Sequence, residues 1–256
     1  IVIPESVKEI GSHAFEGCTG LTNVVIPESV KEIGWHAFSG CTGLTSIVIS
    51  NSMKIIGVGA FKDCTSLTNV VIPDGVKNIE GAAFKGCESL TSVFIPNSVE
   101  KIGGSAFESC TGLTNVVIPD SVKNIEGAAF KGCKSLTSVA IPDGVEKIDQ
   151  ETFKDCTNLT SIVIPESVKE IGSHAFEGCA GLTSVVISNS VKKIGWHAFS
   201  GCTGLTSIVI PNSMKEIGDW AFSGCDLENL VIHAPAGSYA VRYAKKQGIK
   251  FQPIKN

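Results

Sequence analysis

The chain has 256 residues, with 21 Lys and Arg against 25 Asp and Glu and a formal net charge of −4. Charged residues make up 18% and hydrophobic ones 43%, which supplies a large core and excludes a disordered chain. The mild acidity, with Arg242 the sole arginine, excludes a dedicated nucleic-acid binder, and no apolar run is long enough to span a bilayer.

The chain opens on Ile1-Val2-Ile3-Pro4, which reads as the middle of a strand with no signal peptide before it. This predicts a fragment or mature form of something longer. It also predicts an uncapped edge at residues 1–3, which is a self-association hazard.

A repeat then takes over. Cysteines recur from Cys18 and Cys41 to Cys202 and Cys225 with every gap 23 residues, and ten of the twelve Phe, Phe15 to Phe222, stand three residues before a Cys. A fixed period of this size is the signature of a solenoid. One unit, residues 21–43, reads LTNVVIPESVKEIGWHAFSGCTG. Leu21, Val24 and Ile26 alternate as a short strand facing a core. Pro27-Glu28-Ser29, or Pro73-Asp74-Gly75, is turn chemistry that ends the strand. Val30 and Ile33 bring apolar residues inward on a second wall. Ala37, Phe38 and Cys41 read as fillers on a short helical turn. One unit cannot bury such a face, but a stack can. Residues 162–215 nearly duplicate residues 1–54 at an offset of 161, which is seven periods.

The tail departs from the repeat after Cys225-Asp226-Leu227, where the link is one residue short. Ser238 predicts the N-cap of a helix from Tyr239 to Gln247, with Lys245 and Lys246 in its last turn and Gly248 just beyond. Ile249, Phe251 and Ile254 read as a final strand. The predicted division is a solenoid over 1–232 and a C-terminal cap over 233–256.

The strand pattern Leu21-x-x-Val24-x-Ile26 resembles that of the leucine-rich repeats. The 23-residue period, the Ile26-Pro27 ending and the Ala37-Phe38-x-x-Cys41 box resemble the BspA-type leucine-rich repeat family of bacterial surface antigens, over residues 1–232. The resemblance implies a right-handed solenoid with a parallel sheet on its concave side and short helical turns on its convex side. It implies a secreted or cell-surface protein that adheres to host or microbial partners, without enzymatic activity.

Chemistry-bearing columns are weighed against plainer readings. In-register cysteines point the same way, and no C-x-x-C occurs, so a buried ladder of free thiols is favoured over disulfides or structural zinc. His13 and His36, and His174 and His197, stand one period apart, but no carboxylate or Cys column adjoins them. Their column, with Gly59, Ala82, Ser105 and Trp220, reads as a tolerant surface turn. Trp35, Trp196 and Trp220 read as half-exposed packing caps. The acids sit in repeated banks beside lysines, a solvated face. No phosphate loop, HExxH or Ser-His-Asp order is present, so no catalytic, cofactor or metal residues are assigned.

The outward strand column is the most informative. With Val24 and Ile26 inward, Val25, Val48, Val71, Phe94, Val117, Ala140, Val163, Val186 and Val209 face out as an apolar ridge. An Asn or Ser column and a Thr column flank it. Strand propensity alone would explain Val and Thr there. The functional reading is a contact surface for a protein or an extended polymer along a spine of about 50 Å. The competing readings are a structural spacer without a ligand and a consensus repeat scaffold.

Overall fold

The computed structural model describes residues 1–254. The repeats stack as rungs of a parallel β-solenoid. The front sheet has eleven parallel strands in chain order. They run from Asn23–Val25 and Ser46–Val48 to Ser207–Val209, then Val231–Pro235 and Lys250–Ile254. Register is one period through the repeats, where Val24 faces Ile47 and Val48 faces Val71, and it shifts only at the last two strands, where Ile208 faces Ile232 and Ile232 faces Phe251. Val2 joins Val25 through a single bridge. The burial pattern of each short strand follows from the two-residue pleat: Val24 is buried while Asn23 and Val25 are exposed.

A second wall is built from two-residue strands, and it is interrupted. Glu9–Ile10 pairs with Glu32–Ile33; Ile55–Ile56 to Asn124–Ile125 form a second ladder; Lys147–Ile148 to Glu216–Ile217 form a third. The breaks fall between Ile33 and Ile56 and between Ile125 and Ile148. Elsewhere the rungs are joined by bonds such as Lys31 N to Lys8 O at 2.9 Å and Gly34 N to Ile10 O at 2.7 Å. At the two breaks the amides of Lys54 and Gly57, and of Glu146 and Asp149, make no such bond among the described residues.

The second break falls in a column that elsewhere holds mostly Gly. The column after Ile33 favours Gly because the preceding rung lies against it: a Cβ at Gly34 would sit 2.3 Å from Ser12 N, and one at Gly103 2.6 Å from Gly81 N. Where Glu80 and Glu126 occupy that column, the cross-rung bond is 2.9 and 3.0 Å, against 2.7 Å at Gly34 and Gly103. Asp149 directly follows Glu126 in the column.

The back turn corrects one expectation, since it contains no helix. His36 and Gly40 have φ of 54° and 70°, in the left-handed region, which breaks a helical path. Alternate amides close tight turns within the rung, Ser39 N to His36 O at 3.0 Å and Cys41 N to Phe38 O at 3.2 Å. The amides between them cross to the next rung: His36 N to Val58 O at 2.9 Å, Phe38 N to Ala60 O at 2.9 Å, and Gly40 N to Lys62 O at 2.7 Å. The backbone groups of the turn are thereby paired without a helix.

The core is one continuous column from Ile3 to Ile249. Phe15 and Phe38 stack at 5.1 Å, and the rings continue to Phe199 and Phe222 at 5.6 Å, all near parallel. Tyr243 meets Phe222 edge-on at 6.1 Å. Tyr243 belongs to the helix Tyr239–Gln247, whose N-cap Ser238 accepts from Val241 N and whose C-cap Gly248 is left-handed. No helix among the described residues is long and apolar enough to cross a membrane.

Candidate interaction surfaces

The front ridge is where the period-two pattern puts it. Val25, Val48, Val71, Phe94, Val117, Ala140, Val163 and Val186 are exposed, Phe94 by 63%, and Val209 is half-buried. Register brings neighbours side by side: Val71 faces Phe94, Phe94 faces Val117, and Val163 faces Val186. The row then meets His233 beside Val209. One weak seam crosses it, since the strand of Val117 pairs with that of Ala140 only through Asn115 and Ser138.

The flanking Thr column is structural. Thr45 Oγ1 donates to Thr22 O at 3.1 Å, and Thr114, Thr160 and Thr206 repeat the bond to the rung before at 3.2–3.3 Å. Its hydroxyls are committed to holding rungs together. The Asn and Ser column stays exposed beside the ridge.

The thiols form a ladder of free cysteines. Each Sγ from Cys41 to Cys225 donates to the Phe carbonyl of the previous rung, as Cys64 does to Phe38 O at 3.1 Å and Cys156 to Phe130 O at 3.2 Å. This explains why the column is Cys rather than Ala: a small apolar filler that also carries a donor. Burial pushes the thiols of Cys64, Cys110 and Cys156 up to about 12. The expectation of a fully buried column is corrected at its ends. Cys18 is exposed because no rung packs below it among the described residues, and Cys225 is half-buried where the shortened link leaves the repeat.

The histidine turns hold their rings stacked across rungs. His13 stacks on His36 at 5.4 Å and His174 on His197 at 5.1 Å, nearly parallel. Parallel lone pairs do not converge on one ion, and no group of three or more His, Cys, Asp or Glu able to share one occurs among the described residues. His13 Nδ1 instead pairs with Glu16 at 2.6 Å. The column is constrained rather than tolerant: His13, His36, Ala82, Ser105, Ala128, Glu151 and Trp220 all have positive φ. Gly59 in the same column was the only signal of this in the sequence.

Among the acids, Glu28 caps the next rung. Its carboxylate accepts from Asn51 N at 3.1 Å, from Ser50 Oγ at 3.1 Å and from Ser52 N at 3.2 Å. The Asn51 amide leads these bonds in holding the Glu28 carboxyl below its usual range. Several lysines pair across rungs, as Lys77 does with Glu100 at 2.7 Å and Lys131 with Glu151 at 2.6 Å. Sequence reasoning missed two side clefts at the ladder breaks. One of about 460 Å³ is lined by Lys31, Glu32, Trp35, Lys54, Ile55 and Val58, and one of about 590 Å³ by Lys123, Glu126, Glu146, Lys147 and Asp149.

The family model of the BspA type leucine rich repeat region matches in six copies, over residues 1–114, 77–195 and 169–243. The chain belongs to the BspA-type leucine-rich repeat family. A leucine-rich repeat protein of Bacteroides ovatus is similar at 28% identity over 100% of this chain and 92% of its own, with a TM-score of 0.63. A leucine rich cell surface protein of Faecalibacterium prausnitzii is similar at 28% identity over 100% of this chain and 87% of its own, TM-score 0.52. The T. pallidum leucine rich repeat protein is similar at 34% identity over 71% of this chain and 77% of its own, TM-score 0.52. No curated protein matches. The parallel solenoid and its 23-residue rung are thus the fold of this bacterial repeat family.

Proposed function

We propose that the chain is a non-enzymatic recognition or adhesion module of a cell-surface or secreted bacterial protein. In this reading it meets a protein or an extended polymer of a host or microbial surface through the front sheet. The observation that carries the reading is the exposed outward row from Val25 to Val186, with Phe94 its one aromatic, 63% exposed. A contiguous apolar strip of this kind between polar rails marks interaction sites. Aromatic side chains dominate interface hot spots. A surface location is supported by the cell-surface description of the Faecalibacterium relative.

The test is capture of partners from intact cells or matrix proteins, with the triple variant Val71→Ser, Phe94→Ser and Val117→Ser as control. These residues point away from the core, so the variant keeps its fold. Binding to the captured partner falls at least tenfold, about 1.4 kcal/mol. Unchanged binding would leave the spacer reading for this sheet.

A further inference from the structure

We infer that the cleft at the break between Ile33 and Ile56 binds the ring of a neutral sugar, stacked on Trp35. Its volume of about 460 Å³ is in the range of small-molecule sites. One wall is an indole exposed by 65%, joined by Ile55 and Val58, which are also exposed. Lys31, Lys54 and Gly57 line the cleft, and the break leaves backbone groups of theirs without cross-rung bonds. The amides of Lys54 and Gly57 and the carbonyl of Lys31 have no hydrogen-bond partner among the described residues.

The rim carries Lys31 and Lys54 against Glu32 and Glu80. Glu32 and Lys54 make no ion pair among the described residues, and Glu80 reaches only Lys101, at 3.5 Å. Donors and acceptors are therefore mixed, and the charges balance. That combination suits hydroxyl groups, which donate and accept, and gives no preference for an anion or a cation. The flat apolar face of an indole complements the C–H face of a sugar ring, while its neighbours take the hydroxyls.

The near-duplicate at 162–215 acts as an internal comparison. Trp196 stands where Trp35 does, but its rung is closed: Lys215 N bonds to Lys192 O at 2.9 Å and Gly218 N to Ile194 O at 2.8 Å. The Trp196 ring lies over the next rung, with Cδ1 2.6 Å from the position of a Cβ on Gly218. At Gly57 the atoms nearest that position belong to Ile33 and Gly34, so Trp35 does not cover its rung in this way. Of the lining residues, Glu32, Ile55 and Val58 stand here where Lys193, Glu216 and Asp219 stand there, and Gly59 of the next rung is matched by Trp220. The open cleft thus goes with these differences and not with the tryptophan alone.

The experiment titrates the full chain with a panel of neutral oligosaccharides, with sialylated and sulfated ones alongside, read by tryptophan fluorescence and saturation-transfer NMR. At least one neutral oligosaccharide binds. Trp35→Ala weakens it about tenfold or more, whereas Trp196→Ala leaves it unchanged. The triple variant Glu32→Lys, Ile55→Glu and Val58→Asp, which copies the closed lining with its Lys193–Glu216 ion pair, abolishes binding with Trp35 in place and the melting temperature retained. Absence of binding to every neutral oligosaccharide, survival of binding in Trp35→Ala, or binding of the anionic ones alone would overturn the inference.

Discussion

Replacing Phe130 by Ala perturbs the solenoid where its rungs are most weakly joined. The ring is fully buried and stacks on Phe107 at 5.4 Å and on Phe153 at 5.7 Å. Truncation of a buried Phe costs about 3–5 kcal/mol, of which each stacked pair accounts for about 0.5–1.5 kcal/mol. The same interface already lacks the cross-rung bonds of Glu146 and Asp149, and its front strands pair only through Asn115 and Ser138. At about 0.5–1.5 kcal/mol per bond, the two missing amide bonds make this junction about 1–3 kcal/mol weaker than its neighbours before any mutation. Solenoid stability is a sum of rung terms and nearest-neighbour terms, so the variant separates into two cooperative blocks. Trp35 reports on one block, and Trp196 and Trp220 on the other. In urea, variants keeping only one set of tryptophans give coincident transitions in the parent and separated transitions in Phe130→Ala. Coincident, unshifted transitions in the variant would mean that the Phe column does not couple the rungs.

Four further outcomes follow from the packing. In the native chain a thiol reagent modifies Cys18 promptly and Cys225 slowly, and the buried cysteines react only after unfolding; prompt reaction of Cys110 would contradict the thiol ladder. The buried thiols also set a pH dependence. The Cys110 thiol is raised from the ordinary 9.0 to about 12 in the folded chain by burial. Above pH 9 the unfolded chain therefore holds fewer protons, and stability falls with rising pH between about 9 and 12, by about 1.4 kcal/mol per thiol per pH unit. Urea titrations across that range give a shallower fall for Cys110→Ser. Gly103→Ala costs about 1–3 kcal/mol in the same assay, because its Cβ meets Gly81 N at 2.6 Å, whereas Gly20→Ala, with nothing within 4 Å, changes stability little. Ser238→Ala removes the cap bond to Val241 N and costs about 1 kcal/mol, seen as faster amide exchange in the helix Tyr239–Gln247.

Much of this architecture is legible in residue order, because each inward column has one physical task and repeats it. Val24 and Ile26 alternate with Val25, so the outward row follows from the pleat alone. Ser238 and Gly248 mark a helix because an N-cap oxygen and a left-handed C-cap are local requirements. The back turn misleads for a local reason as well. The spacing Ala37-Phe38-x-x-Cys41 fits one helical turn, and the left-handed residue at His36 is hidden by side chains that rarely take that conformation. The Thr hydroxyls and the Cys thiols bond to carbonyls one rung away, and no sequence pattern displays such partners. The side clefts were missed because they arise from the breaks in the second wall. One break follows the pair Glu126 and Asp149 in a glycine column, and the other lies beside Ile55, the one apolar residue in a polar column.

Hydroxyl-radical footprinting of the chain, free and bound to a captured partner, tests the central proposal most directly. Phe94 is 63% exposed while the stacked Phe column from Phe38 to Phe199 is fully buried, so its oxidation in the free chain reports on the front sheet alone. The account predicts that Phe94 is oxidised in the free chain and protected in the complex, while Trp220 on the back turn is oxidised equally in both. Undiminished oxidation of Phe94 in the complex, with protection confined to the tryptophan turns, would contradict it.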